Sequence, residues 1–486
     1  MPREPYQRCS QAVLEAWLKP EIQKNPLITS IFGLKFESLV ESEDGVESRL
    51  LTQDGEEHVV MSRFVLGCDG AGSRVRRNIG IKLEGGPVPG AMYLIHFKSR
   101  DLTRLHAQGQ FWHIYFTTGQ VIISQDEKDT WTVHCPIPLD ADLSNIDPKE
   151  AVYAALGGAH SPYRIGIDEI LVTSNWRPNI CIAERYMSKK KRVFLAGDSA
   201  HQNIPTGGYG MNTAVGDSFD IGWKLAAVIH GHGGIHLLDS YQLERYPVAV
   251  RNINRSGVHW SVHSKYKEWC EEQPGLVVSQ SVEGHALRAK ISEWVGTHDG
   301  ENKDHGIEMG YRYISSNIIM ASDNPQDEPP FYEREYVPTT WPGARVPHVF
   351  LQDGTTSIYD LLGKGPEFTL VDFTRDGAYI ELFASHAADL NIPLKTVHLP
   401  QEAHLHNIWE RDAVLVRPDD HVAWRLSNQG KAVDAKEVLQ IALGHKRQGS
   451  VARERQVDGK QQDRTFAATI GNVNMDNVKM RGEFQQ

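Results

Sequence analysis

Two short apolar runs in this chain each end on an acid beside a glycine, and they restrict its fold more than any other feature. Residues 63–68, RFVLGC, lead into Asp69 and Gly70; residues 193–196, VFLA, lead into Gly197 and Asp198. Such runs, bounded by turn residues, read as buried strands of a parallel sheet. In open α/β sheets ligands sit outside the carboxyl ends of the strands, so two such ends can converge on one ligand. After the second run, GDSAHQNIPTGGYGMN passes into a long apolar helix over 211–229, which Gly231, Gly233 and Gly234 end. A carboxylate accepts hydrogen bonds from ribityl or sugar hydroxyls, and glycines let the backbone approach a flat ring. A helix start adds unpaired N–H groups and a partial positive charge. The constellation suits a flavin, whose reduced ring carries negative charge near N1 and O2.

Around these ends the chain is organised in blocks. Residues 11–18, QAVLEAWL, have apolar side chains at helical spacing, and Pro20 is expected to limit that helix. From 90 to 137 the runs FWHIYF and TWTVH alternate and are rich in aromatics, which predicts an antiparallel sheet with one face buried. Helical patterns continue to about residue 300. The Pro- and acid-rich stretch 323–338 reads as linker. Strand and helix signals then alternate over 345–445, as in a small α/β unit, and the polar residues after 445 read as a disordered tail.

The match to known sequences spans several motifs. RVFLAGDSAHQNIPTGGYGMNTAVGDSFDIGWKLAAVIHG resembles the GD motif of the p-hydroxybenzoate hydroxylase and phenol hydroxylase superfamily, FAD-dependent aromatic hydroxylases. DGAGSRVRR, at 69–77, is similar to that family's DGxxSxVR motif, and Arg8, Cys9, Ser10 and Gln11 followed by a helix look like its RxxQ element. LLDSYQLERYPVA and EMGYRY resemble its later segments, so the likeness runs through residues 5–445 in order. It implies an α/β protein in which a Rossmann-like FAD-binding domain is interleaved with an antiparallel-sheet substrate domain and followed by a thioredoxin-like C-terminal domain. The expected boundaries are 1–81 and 186–322 for the FAD domain, 82–185 for the substrate sheet, 323–342 for the linker, 343–445 for the C-terminal domain and 446–486 for the tail. The Rossmann unit is expected to be incomplete, because the GxGxxG turn that receives the FAD diphosphate does not occur in the sequence.

Carried over residue by residue, the resemblance implies that Asp198 accepts from the ribityl chain. Gly207, Gly208, Gly210, Met211 and Asn212 would approach the ring, the last three through backbone N–H groups at its pyrimidine end. Pro205 would lie at the reactive C4a/N5 edge. Arg8 and Gln11 would contact the ribityl or diphosphate part. Asp69 would touch both FAD and the incoming nicotinamide nucleotide, with Arg74 and Arg76 facing phosphate. The implied reaction consumes NAD(P)H and O2 and hydroxylates a phenolic or polyketide-like ring through a flavin C4a-hydroperoxide, as in secondary metabolism. Protein groups mainly exclude water and position the ring, and no residue presents itself as a catalytic base. Trp112, Tyr115, Trp131 and Trp176 are candidates for the wall of the substrate pocket, against the plainer reading that they fill the sheet core. The C-terminal unit resembles the thioredoxin-fold domain of phenol-hydroxylase-type enzymes but has no CxxC, which assigns it to dimerisation or packing.

Other readings compete. His230, His232 and His236 have a metal-like spacing, but no carboxylate completes a site; they read as a solvated loop, and no metal is expected. His201 beside Ser199 lacks the GxSxG elbow of a hydrolase. A net charge of −11 with no basic stripe argues against a nucleic-acid partner. Five scattered cysteines and the absence of any long apolar run predict a cytoplasmic protein with no membrane segment. The rival functions are a non-catalytic binding or dimerisation protein, and a flavin enzyme performing epoxidation or Baeyer-Villiger oxidation.

Overall fold

A computed structural model describes residues 3, 4, 7–88, 90–109, 111–298, 301, 303–320, 324–428 and 432–448. The two apolar runs form adjacent parallel strands, Val65–Gly67 and Val193–Leu195, paired Val65 to Val193 and Gly67 to Leu195. Their carboxyl ends, and so Asp69 and Asp198, open on the same edge. Val193, Phe194 and Leu195 are fully buried, whereas Val65 and Leu66 are half-buried. The first run is thus less enclosed than its sequence implies, because among the described residues its strand has a single neighbour. An antiparallel meander, Lys35–Glu41, Val46–Leu51 and Glu57–Ser62, lies before this pair in the chain. A smaller sheet joins Leu83–Pro87, Asn179–Ala183 and His201–Gln202.

The antiparallel sheet expected over 90–137 is present and has five strands, in the order Glu169–Trp176, Ala91–Lys98, Thr130–Ile137, Val121–Ser124, His113–Tyr115. Period-two alternation sends Tyr93, Ile95 and Phe97 to one face. There they pack with Ile122, Trp131 and Val133 under Val152 and Ala155 of the helix Pro148–Gly157.

Three helices carry the rest of the first 300 residues: Tyr209–Ile229, His236–Glu272 and Val282–His298. The N-terminal helix runs Gln11–Lys24, past Pro20. Proline removes one i to i−4 bond, but no residue of this helix is buried, so the carbonyl released at Ala16 can be satisfied by water.

Residues 343–445 form a four-stranded sheet, Leu394–His398, Phe368–Asp372, Ala413–Val416, Val422–Arg425, in which the first two strands are parallel and the others antiparallel. Phe368 and Leu370 face the helices Ile380–Asp389 and Ala435–Ala442, while Val371 and Phe373 face Leu405 and Trp409 on the other side. This is a thioredoxin-like layering. The stretch read as linker is anchored at its end, where Thr339, Thr340 and Trp341 are buried. The guanidinium of Arg425 lies 4.9 Å from the Trp341 ring centroid, a packing that composition alone does not announce. Of the polar tail, all beyond Gln448 lies outside the described residues; Arg447 bonds Asp239 at 3.1 Å.

Candidate functional site

The two strand ends are laced together by backbone carbonyls. Ser199 donates its hydroxyl to Gly67 O at 2.6 Å, and Arg76 donates to Ser199 O at 3.0 Å. Beneath them Asp217, fully buried, accepts from Gly197 N at 3.1 Å and Arg245 Nε at 2.8 Å, with His201 Nε2 at 2.7 Å. Burial pushes the Asp217 carboxyl up, but the charges and hydrogen bonds of Arg245 and His201 outweigh it and hold it below the usual range. His201 therefore serves this buried pair, and Ser199 turns its hydroxyl toward backbone; neither is arranged as a nucleophile and its base. Gly197, at φ 62°, lets the helix Tyr209–Ile229 come close, since a Cβ there would lie 3.0 Å from the Ala214 Cβ.

Above this base lies an open face. Asp198, Pro205, Gly208, Met211 and Asn212 are exposed and Gly210 is partly so. The helix begins at Tyr209 with Gly208 as N-cap at φ 69°, and no side chain caps it. The first N–H groups of a 21-residue helix thus have neither an intrahelical acceptor nor a side-chain cap. Gly207 behaves differently from its neighbours. Its N–H donates to Glu301 Oε1 at 3.0 Å, and at φ 83° any Cβ would fall 2.4 Å from the Tyr209 ring. A cavity of about 330 Å³ adjoins this turn, lined by Gln7, Gly207, Tyr209, Asn212, Arg245 and Asn252 among others.

The phosphate-end candidates are engaged elsewhere. Both oxygens of Asp69 are used within its own loop, one accepting from Ser73 Oγ at 2.5 Å, the other from Arg74 N at 2.7 Å and Val75 N at 3.0 Å, which caps the short helix Arg74–Asn78. Arg74 pairs with Glu37 and with Phe36 O. Arg76 is 6% exposed and ties two loops through carbonyls, so it faces backbone where sequence comparison implied phosphate. Gln11 donates to Glu15 at 2.7 Å, and the Arg8 guanidinium lies 4.0 Å from the Trp112 ring centroid.

Of the four aromatic wall candidates, Trp131 is fully buried and donates to Ser99 O at 3.1 Å, so it is sheet core. Trp176 donates to His134 Nδ1 at 3.2 Å, and burial lowers His134 to about 4, which keeps its ring neutral and able to accept. Trp112 lies under Arg8. Tyr115 alone of the four reaches the glycine turn, through Glu301, to which its hydroxyl donates at 3.2 Å. His113 and His263 flank the same carboxylate. Sequence reasoning missed Glu301, His113, His263, Asp217 and Arg245.

The histidines His230, His232 and His236 do not form one loop in water: His232 is buried, and its carbonyl accepts from His445 at 2.8 Å. Three buried carboxylates, Asp220, Glu244 and Asp419, do lie within 4.8 Å of one another. Lys224 and Arg417 bond them, so this group is an ion-pair network. Among the described residues no helix is long and apolar enough to cross a membrane.

Comparison with known proteins agrees with this geometry. The family model described as FAD binding domain matches residues 2–256, and that described as aromatic-ring hydroxylase, C-terminal, matches residues 339–445. The FAD-dependent monooxygenase apdD of Emericella nidulans is 42% identical over 91% of this chain and 73% of its own. The FAD-dependent monooxygenase opdD of Penicillium oxalicum is 42% identical over 92% of this chain and 86% of its own. Among solved structures, the flavin-dependent monooxygenase PieE in complex with FAD and substrate superposes with a TM-score of 0.75 at 29% identity, covering 89% of this chain and 79% of that one. The chain belongs to the FAD-dependent monooxygenases of the aromatic-ring hydroxylase type.

Proposed function

We propose that this chain hydroxylates a phenolic or polyketide-like aromatic substrate in secondary metabolism, using FAD, NAD(P)H and O2. The observation that carries the reading is the uncapped start of the helix Tyr209–Ile229, with Met211 and Asn212 exposed, preceded in the chain by the exposed Asp198 and Pro205. That donor set fits the ring end of FAD. Asp198 would accept from ribityl hydroxyls, while the N–H groups at Gly210, Met211 and Asn212 would meet the pyrimidine oxygens and favour negative charge there. Pro205 brings no N–H and would face the reactive edge with an apolar ring. When bound, the flavin supplies hydride acceptance and oxygen activation.

The five-stranded sheet supports the substrate side of this reading, since its strand His113–Tyr115 reaches the glycine turn through Tyr115 and Glu301. Its remaining work is to hold the aromatic ring and exclude water, which would otherwise divert the reduced flavin and O2 to hydrogen peroxide. The C-terminal domain, with no cysteine after Cys270, serves packing or self-association and carries no thiol chemistry. The free cysteines fit a cytoplasmic, reducing setting.

The test is to titrate the purified chain with FAD, then follow NADPH and NADH oxidation with and without a panel of phenols and aromatic polyketides. Ring-dependent acceleration with an oxygenated product is the expected result. Binding of FAD with no product from any electron-rich ring, but turnover of a ketone or an alkene, would replace hydroxylation by Baeyer-Villiger oxidation or epoxidation.

A further inference from the structure

Glu301 collects groups from three separate parts of the chain on one carboxylate. From the glycine turn, Gly207 N–H donates at 3.0 Å; from the edge strand of the substrate sheet, Tyr115 OH donates at 3.2 Å, with His113 Nε2 at 3.5 Å; from the long helix His236–Glu272 comes His263 Nε2, at 3.6 Å. The residue is 7% exposed. A carboxylate in that position is costly unless several donors meet it. Burial pushes its carboxyl up, but the nearby imidazoles of His113 and His263 outweigh this and keep it ionised.

We infer that Glu301 is a positioning residue that fixes the cofactor turn, residues 205–208, against the substrate sheet. This rests on the proposed reading of that turn. The turn is held from two sides. Thr206 donates its hydroxyl to Ser256 O at 2.7 Å, which ties it to the long helix. No side chain fits at Gly207, where a Cβ would fall 2.4 Å from the Tyr209 ring and 2.9 Å from the His259 ring. The Glu301 bond is the tie on the sheet side, and it runs through the same carboxylate that receives Tyr115. The distance between the cofactor turn and the substrate sheet is thereby set by one side chain that bonds both. Spending the Gly207 N–H on Glu301 also leaves the amides beyond Gly208 as those that face outward. Ring contacts reinforce the substrate side, with the Tyr115 ring centroid 3.8 Å from that of His263 and 4.5 Å from that of His113.

The experiment compares wild type, Glu301→Ala and Glu301→Gln by FAD titration, by the visible spectrum of the bound flavin and by thermal unfolding without FAD. The amide of Gln keeps an oxygen for Gly207 N–H, so it tests rescue. Loss of one charge-assisted bond at the turn is expected to weaken FAD binding by about tenfold in Glu301→Ala and to alter the spectrum, with Glu301→Gln within about threefold of wild type. Should Glu301→Ala not fold, Glu301→Asp is read instead; one methylene shorter, it cannot reach Gly207 and Tyr115 together and is expected to fall between the other two. Variants that fold and match wild type in FAD affinity and spectrum, with changes in thermal unfolding alone, would overturn the inference and leave Glu301 a structural ion partner. Failure of the wild-type chain itself to take up FAD at this turn would overturn the reading of the cofactor face, and the tether with it.

Discussion

Arg76 crosses from one strand end to the other, its guanidinium donating to Ser199 O at 3.0 Å. With the bond from Ser199 Oγ to Gly67 O at 2.6 Å it closes a loop between the two Asp-Gly turns. The residue is 6% exposed, and Ser199, whose carbonyl it meets, is fully buried. Arg76→Ala is therefore expected to cost about 1.5–3 kcal/mol of stability, in the range for hydrogen bonds to a charged group, while NAD(P)H affinity falls little. Urea unfolding together with the KM for the nucleotide separates the two roles. A stable variant with a strongly raised KM would restore the phosphate-facing role.

Asp198 is the opposite case. Its side chain is exposed and fills no core volume. Asp198→Ala should leave the unfolding midpoint within experimental error and weaken FAD binding by roughly ten- to a hundredfold, the equivalent of one lost charge-assisted bond. Fluorescence titration with FAD checks it. Unchanged affinity in a folded variant would remove Asp198 from the cofactor face.

The contrast between these residues explains what the sequence displayed. The paired strands Val65–Gly67 and Val193–Leu195 and the helix Tyr209–Ile229 were legible because apolar runs, turn residues and periodicity are local signals. The exposed positions Asp198, Pro205, Gly208, Met211 and Asn212 came with them. Arg76 looked like a phosphate ligand because a motif records residue type and not the direction of a side chain. Asp217 with Arg245, and Glu301 with His113 and His263, are pairings across 28 to 188 positions of chain in polar stretches, where no period marks them. Trp131 and Tyr115 lie in the same sheet with the strand Val121–Ser124 between theirs, and only packing decided that one is core and the other meets the turn.

Asp304 gives the turn region an acid limit. It is fully buried and accepts from Arg255 and from Tyr209 OH, the latter at 3.2 Å, with His259 Nε2 at 3.1 Å. Burial raises its carboxyl, but His259 and Arg255 outweigh this and lower it from 3.8 to about 2. A carboxyl depressed on folding contributes stability that is fully present above its unfolded value and is lost as pH falls through the folded one. Wild type should thus exceed Asp304→Asn in urea midpoint at neutral pH, and the two should converge as pH falls from about 4 to about 2. Parallel curves across that window would show that Asp304 gains nothing from its partners on folding.

The joint between the FAD-binding part and the C-terminal domain depends on a buried network rather than on apolar packing alone. Glu244, on the long helix, accepts from Arg417 of the C-terminal sheet at 2.7 and 2.8 Å and from Lys224 at 2.6 Å. Arg417 also holds Asp419 at 2.5 Å, and Lys224 holds Asp220 at 2.6 Å. All five are almost without solvent contact. Three carboxylates face two cations, and the Asp220 carboxyl is correspondingly raised, by burial first and by its acidic neighbours Glu244 and Asp419 beside that. Removing one cation leaves one more carboxylate charge uncompensated in a dry site, so Arg417→Met is expected to cost about 3–5 kcal/mol. Because Arg417 bridges the two parts, the loss should appear first as separation: limited proteolysis should release the C-terminal domain before the rest unfolds, and thermal unfolding should split into two transitions. Replacing Glu244 and Arg417 together by apolar residues should recover part of the loss, since the uncompensated charge is then smaller. A single, barely shifted transition in Arg417→Met would show that the network contributes little to docking and that apolar contacts such as Trp223 against Phe368, with centroids 5.9 Å apart, hold the domain in place.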